Sequence, residues 1–339
     1  MKHMEKSGSS GSAGRKVLNV LLTILLIFLI LVLIGMGYTL AMLGKMNYVG
    51  REESTISPED LEIYLQQQKE TGQPEGSENE QIILDMADGA LISEEMIHIL
   101  LIGEDARPGE GRGRSDAMIL CSFDTRGKKM TVTSFMRDMY VTIPGYTDHK
   151  LNSAYAWGGM KLLCETIWVN FGIRIDGCFS VDFQAFQLVI DRLGGVDIAL
   201  TEEEAAYLGC SQGINHLSGE RALTYARIRS VGNGDFDRTQ RQRKVIQALI
   251  DKCKGMNVGQ FHSLLEEVLP LMDTNMEETK ILQYGLTFLP VFAGGVPINK
   301  LCIPAEDAYR NAWAKDMMVL LPDLEKNREI LRQALSCDS

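Results

Sequence analysis

MIHILLIGEDARPGEGRGRSDAMILCSFD, residues 96–124, sets two mostly apolar runs around a Gly-rich loop dense in charge. MIHILLIG (96–103) and AMILCSFD (117–124) have the length of strands. The segment between them holds Asp105, Arg107, Arg112, Arg114 and Asp116. Loops at strand ends are where α/β folds place ligands. Mg²⁺ takes one or two carboxylates and completes its octahedron with phosphate oxygens and water. Two carboxylates among arginines, Asp105 and Asp116, therefore resemble a site for Mg²⁺, or Mn²⁺ in its place, with a phosphate.

Outward from this stretch the elements alternate. KMTVTSF (129–135) is a third strand after a turn at Asp124-Thr125-Arg126-Gly127. An amphipathic helix is predicted over 158–172, a strand over 177–183, a helix from Phe183 that ends at Gly194 and Gly195, and a strand over 196–200. Further helix is predicted near 219–228, 238–252, 279–289 and 316–335. Strands alternating with helices predict an α/β sheet covered on both faces. No internal repeat and no composition break follows residue 96, so residues 96–339 read as one domain.

The first 95 residues read differently. Residues 17–44 form a charge-free run of 28, longer than the roughly 30 Å hydrocarbon core needs at about 1.5 Å per residue. A secretory signal has a shorter apolar region and a small-x-small cleavage site. Residues 17–43 are thus predicted to be a retained transmembrane helix. Lys2, Lys6, Arg15 and Lys16 precede it, which orients residues 1–16 to the cytoplasm and the rest of the chain outside. Ser57-Pro58-Glu59-Asp60 opens a short helix to about Lys69, and 71–80 is a polar Gly- and Pro-bearing linker. Residues 51–95 hold 13 Asp and Glu against Arg51 and Lys69 only. That segment accounts for the whole net charge of −11, leaving 32 acidic and 32 basic residues elsewhere. Balanced charge and an outward domain argue against a nucleic-acid partner. The seven cysteines are odd in number and lack CxxC spacing; they read as buried small apolar residues, with a disulfide as the alternative.

ARIRSVGNGDFDRTQRQRK, residues 226–244, concentrates Arg227, Arg229, Arg238, Arg241, Arg243 and Lys244. On a helix starting near Asp237, Arg238, Arg241 and Gln242 share a face that Val245 and Leu249 continue, so the arginines point inward. Inward guanidinium groups need an anion. A phosphate suits them; an internal network with Asp235, Asp237 and other carboxylates is the alternative. Arg227 and Arg229 point the same way if the chain is extended after Ala226. Arg137-Asp138 and His149-Lys150 add further charge after the third strand. His98 and His149 read as structural or ligand-adjacent and not as metal ligands, because no third His or Cys has metal-ligand spacing. The apolar stripes Phe183, Phe186, Val189, Ile190 and Ile167, Trp168, Phe171 read as ordinary core, with a tunnel wall as the alternative.

RSDAM (114–118), SFMRDMYV (134–141), HKLNSAYAWGG (149–159), DRLGGVDI (191–198), LSGERALTYARIRS (217–230) and DFDRTQRQ (235–242) together resemble, in order, the motifs of the LytR-CpsA-Psr family. The resemblance implies an α/β/α sandwich with a central mixed sheet and an apolar tunnel for a polyprenyl chain. It implies a phosphotransferase that moves a teichoic acid or capsular polysaccharide from a polyprenyl pyrophosphate carrier to peptidoglycan through a phosphodiester. Carried over by motif, Asp105 and Asp116 are metal ligands. Arg114, Arg137, Lys150, Arg227, Arg229, Arg238 and Gln242 bind pyrophosphate. Asp235 or Asp138 serves as general base, with Arg137 and Arg238 at the reacting phosphate. Met136, Ala117 and Arg243 depart from the family's usual Pro, Thr and Gln. A polyprenyl pyrophosphate hydrolase and a non-enzymatic carrier-binding regulator are the competing readings.

Overall fold

The computed structural model describes residues 37–49, 95–105, 112–232, 234–254, 256–292 and 296–335. In chain order the elements are β1 (Asn47–Tyr48), β2 (Met96–Asp105), β3 (Arg114–Asp124), β4 (Lys129–Phe135), β5 (Tyr140–Val141), β6 (His149–Lys150) and α1 (Leu151–Phe171). There follow β7 (Gly177–Asp182), α2 (Phe183–Arg192), β8 (Val196–Leu200), α3 (Glu202–Leu208), β9 (Gly213–Leu217), α4 (Gly219–Arg227) and α5 (Gly234–Lys254). The last are α6 (Val258–Val268), β10 (Met272–Thr274), α7 (Glu278–Phe292), β11 (Ile298–Ile303), β12 (Tyr309–Ala314), β13 (Met317–Pro322) and α8 (Leu324–Leu335).

Seven strands form one mixed sheet in the order β1-β10-β7-β2-β3-β4-β11. β2 runs antiparallel to β3 and parallel to β7. Successive side chains of a strand point to opposite faces, and β2 uses both. Leu100 and Ile102 join Met118 and Leu120 of β3 in a cluster with Leu163, Ile167 and Phe171 of α1 and Leu331 of α8. Ile97 and Ile99, on the other face, meet Met276 and the α7 residues Ile281, Tyr284 and Phe288. Helices therefore cover both faces, which is why β2 is apolar almost throughout. A separate cluster joins α2, the β8–β9 ribbon, α4 and Val245 of α5.

Several sequence expectations need correction. The helix predicted from 158 starts at Leu151, with a break at Gly159 (φ 67, ψ −152). It is buried nearly all round, so it lacks the amphipathic pattern expected of it. β8 pairs only with β9, outside the main sheet. Residues 316–335 are not one helix: Met317–Pro322 is a strand paired with β12. Lys315 (φ 49) and Asp316 (φ 59) make the two-residue left-handed turn that hairpins favour. Asp323 then accepts the Lys326 amide at 3.0 Å and starts α8.

The predicted transmembrane span falls mostly on residues 17–36, outside the described residues, as do the short helix from Ser57 and the linker at 71–80. Among the described residues no helix is long and apolar enough to cross a membrane. Residues 37–43 are helical, and β1 pairs parallel to β10 (Asn47↔Asp273, Tyr48↔Thr274). Met42 and Met46 are buried against Leu269, so the chain from 44 onward first docks on the sheet edge before the acidic stretch begins.

Cys121, Cys164, Cys178, Cys210 and Cys302 are free thiols, Cys164 and Cys178 being fully enclosed with sulfurs 3.1 Å apart. His98 is a core residue: Nδ1 meets Ser122 Oγ at 2.8 Å, its amide donates to Asp176 Oδ2 at 2.8 Å, and burial lowers its pKa from 6.5 to about 4. A histidine buried neutral stabilises the fold above its unfolded pKa, and that contribution is lost as pH falls from about 6.5 toward 4. Between pH 7.5 and 5 the loss is about 2 kcal/mol. Urea unfolding at the two pH values should show it in the wild type and not in His98→Asn; equal pH dependence in both would refute it.

Candidate active site

A β-bulge builds the carboxylate corner of the site. Gly103 pairs with Ala117, yet Glu104 pairs with Ser115 and Asp105 with Arg114, so Asp116 is the extra residue on β3. In an unbroken ladder Asp116 would share the face of Glu104. The bulge re-aims it to the face of Leu101, Gly103 and Asp105. Gly103 permits the close approach, since a Cβ there would lie 3.1 Å from the Ala117 Cβ. Glu104, on the opposite face, is a buried anchor that accepts from Tyr155 Oη at 2.9 Å and from the Gly113 amide at 2.6 Å.

Arg137 follows β4 and pairs with Asp116; its Nε donates to Asp138 Oδ2 at 3.3 Å. Lys150, the N-cap residue of α1, donates to Asp138 Oδ1 at 2.7 Å. Asp138 therefore has one cation on each oxygen. α4 ends at Arg227 because Ile228 leaves the helix (φ −57, ψ 128). That extended residue puts Arg227 and Arg229 on the same side, as predicted. Arg227 lies 3.5 Å from Asp105 and 4.5 Å above the Phe183 ring. Arg238 is buried, as the inward stripe of α5 requires.

These groups meet in a cavity of about 660 Å³. Packing voids hold at most a water or two, whereas ligand sites run from about 300 to 1,000 Å³, so this is a built site. Along α5 the lining passes from Arg238 and Gln242 to Ile246 and Leu249, and along β2 from Asp105 to Leu101, so charge gathers at one end, with Asp116, Arg137, Arg227 and Arg229. The apolar lining includes Phe179, Phe186, Val189 and Leu223, and Phe183 lies under Arg227 where the two kinds of wall meet. Arg114, Asp138 and Lys150 stand outside the lining, reached through Arg137 and β3. Asp235 lies in the first turn of α5 and its side chain is outside the described residues, as is Arg107.

The expected arginine cluster divides. Arg241 Nε donates to Glu204 Oε1 at 2.8 Å, and its Nη atoms to the carbonyls of Ile228 and Val231, so the internal network holds for this residue, with Glu204 as the carboxylate. Arg243 bonds Ser134 Oγ at 2.8 Å. Phe183, Phe186 and Val189 line the cavity, while Ile190, Ile167 and Phe171 are core. Asp182, overlooked in the sequence, also lines the cavity and caps α2 by accepting the Ala185 amide at 2.7 Å. An Asp ahead of an apolar helix is the signal that would have found it.

Two carboxylates suit Mg²⁺ or Mn²⁺, which leave coordination places for phosphate oxygen and water. Among the described residues no group of three or more His, Cys, Asp or Glu is placed to hold a metal ion. His149 has its pKa lowered by burial and by the cations Lys315, Arg114 and Lys150, which disfavours the imidazolium there.

The cavity combines an arginine-rich wall with an apolar one, a lining that can receive a ligand with an anionic head and an apolar tail. The sequence model of the LytR_cpsA_psr family matches residues 61–333, and the chain belongs to that family. It is 33% identical over 256 residues to the regulatory protein MsrR of Staphylococcus aureus, covering 74% of this chain and 77% of MsrR. It is 32% identical over 256 residues to the polyisoprenyl-teichoic acid–peptidoglycan teichoic acid transferase TagV of Bacillus subtilis, covering 70% of this chain and 64% of TagV. The crystal structure of B. subtilis TagV superposes with a TM-score of 0.58 at 30% identity over 73% of this chain and all of that one. YwtF (TagT) with bound octaprenyl pyrophosphate lipid shares the fold, with a TM-score of 0.55 at 24% identity over 71% of this chain and 91% of that one.

Proposed function

We propose that the protein is a phosphotransferase, anchored by residues 17–43 with its domain outside the cytoplasmic membrane. It moves a glycopolymer of the teichoic acid or capsular type from a polyprenyl pyrophosphate carrier to peptidoglycan. The observation that carries the reading is the cavity, charged at one end and apolar at the other; the names of the TagV and TagU relatives support it. The lipid occupies the chamber of Phe183, Phe186 and Val189, and the pyrophosphate meets Arg137, Arg227, Arg229, Arg238 and Gln242. Arg114 and Lys150 extend the positive field at the rim.

An acceptor hydroxyl attacks the sugar-linked phosphorus in line, and polyprenyl phosphate leaves with the bonding pair. Catalysis is then positioning plus stabilisation of the charge on the phosphoryl oxygens. Asp105 and Asp116 would hold Mg²⁺, which when bound offsets pyrophosphate charge. Asp138, with both oxygens engaged by Arg137 and Lys150, orients those cations, which leaves Asp235 as the residue to accept the hydroxyl proton.

The test is turnover of a polyprenyl-pyrophosphate-linked saccharide by the full chain with Mg²⁺, with and without a peptidoglycan oligomer, beside Asp116→Asn. Sugar appearing on the oligomer with polyprenyl phosphate released, and both lost in the variant, is the expected result. Release that ignores the oligomer would make the protein a hydrolase. Binding without release would make it a regulator, the sense in which MsrR is named.

A further inference from the structure

Outside the cavity, two aromatic rings lie flat against one another at the surface. Tyr146 is 52% and Trp157 39% exposed, their centroids are 4.9 Å apart and their planes 29° from parallel. His149 packs on Trp157 at 4.9 Å, and its Nδ1 is 2.7 Å from Ser153 Oγ, so the indole is braced. Tyr146 sits in the turn between β5 and β6. Lys315 steadies that turn by donating to Thr147 Oγ1 at 2.7 Å and to the Asp148 carbonyl at 2.9 Å.

The pair is tied to the cavity mouth. Lys150 follows His149 in β6 and binds Asp138, which binds Arg137 in the cavity wall. Tyr155, two residues before Trp157, bonds Glu104 next to Asp105. The rings therefore stand at the same end of the sheet as the carboxylates, on the α1 face, whereas the apolar chamber lies on the other. We propose that Tyr146 and Trp157 form a sugar-stacking subsite for the acceptor glycan strand; this rests on the transferase reading above.

The chemistry fits a pyranose. Its axial C–H bonds are electropositive and sit on the electron-rich face of an aromatic ring, while its hydroxyl rim needs water or polar neighbours. A small aromatic face backed by His149, on which the cations Lys150, Lys315 and Arg114 act, offers both. Those cations also complement the carboxylates on the lactyl-peptide branches of peptidoglycan. In-line displacement selects the acceptor over the donor sugar: the nucleophile approaches opposite the leaving polyprenyl phosphate. With the lipid on one face of the sheet, that approach is from the α1 side.

The experiment titrates the full chain with a soluble, lipid-free glycan-strand fragment of peptidoglycan by calorimetry, and separately measures the Kd for a short-chain polyprenyl pyrophosphate. Trp157→Ala is expected to weaken glycan binding about tenfold or more, and Trp157→Phe, which keeps a flat ring, by no more than about threefold. Polyprenyl pyrophosphate affinity should be unchanged in both. No glycan binding by the wild type, wild-type glycan affinity in Trp157→Ala, or equal losses of glycan and polyprenyl pyrophosphate binding would each overturn the subsite. Selective loss of glycan binding in a protein that proves unable to transfer sugar would uphold the subsite and sink the transferase reading.

Discussion

Arg137→Ala is expected to lower turnover of the lipid-linked donor by at least about 10²–10³-fold, the cost of removing one preorganised charge-stabilising donor from an active site. Its position makes it the most consequential cation at the mouth. It joins Asp116, aimed into the cavity by the bulge, to Asp138, held from behind by Lys150. On the transferase reading, deleting the guanidinium removes positive charge from where phosphoryl charge would build up and leaves the Asp116 carboxylate facing that same space. Arg137→Lys returns the charge without the planar fork that grips two partners at once, so it should recover only part of the rate. Single-turnover assays with the three proteins at saturating donor separate this from weaker binding. If Arg137→Ala turns over within threefold of wild type, Arg137 is a structural link between Asp116 and Asp138 and the reacting phosphate lies elsewhere. That threshold is about 0.6 kcal/mol of barrier.

What the sequence makes legible is whatever short-range pattern encodes. The runs at 96–103 and 117–124 are apolar because both sheet faces are covered, and the charged loop between them marks the ligand end. The inward stripe of α5 is likewise readable, since Arg238, Val245 and Leu249 recur at helical spacing. Register is not readable. Only the pairing of Gly103 with Ala117 and of Asp105 with Arg114 reveals that Asp116 is the bulged residue. Partner choice is hidden for the same reason. Arg238 and Arg241 share a stripe three residues apart, yet one walls the cavity and the other is taken by Glu204, 37 residues upstream. In α2, Val189 faces the cavity and its neighbour Ile190 the core, a distinction set by a single helical step of about 100°. Met317–Pro322 reads as helix because its apolar run is short and ambiguous, and the left-handed turn that makes it a strand is built from Lys315 and Asp316 without glycine.

Glu204→Ala is expected to destabilise the fold by about 3–5 kcal/mol, because it strands a buried guanidinium. Glu204 and Arg241 side chains are only 5% and 3% exposed, with Nε and Oε1 2.8 Å apart. Glu204 also accepts the Thr201 amide at 3.0 Å in the capping box of α3, so the variant loses a cap as well. For a domain of this size the melting temperature should fall by roughly 10 °C. The double variant Glu204→Met with Arg241→Met removes both charges and should regain most of that stability, since a buried pair is often worth no more than an apolar one. Function should not return with it. Arg241 also holds the carbonyls of Ile228 and Val231 at 3.0 and 2.9 Å, and those bonds fix the chain that carries Arg227 and Arg229 into the cavity. The double variant should therefore be a well-folded protein with weakened pyrophosphate affinity, seen as a raised Kd for a short-chain polyprenyl pyrophosphate. A loss of less than about 1 kcal/mol in Glu204→Ala would mean that the pair is wet enough to tolerate separation. Wild-type affinity in the double variant would mean that the loop after α4 is held by its own packing, with Ile228 its buried anchor.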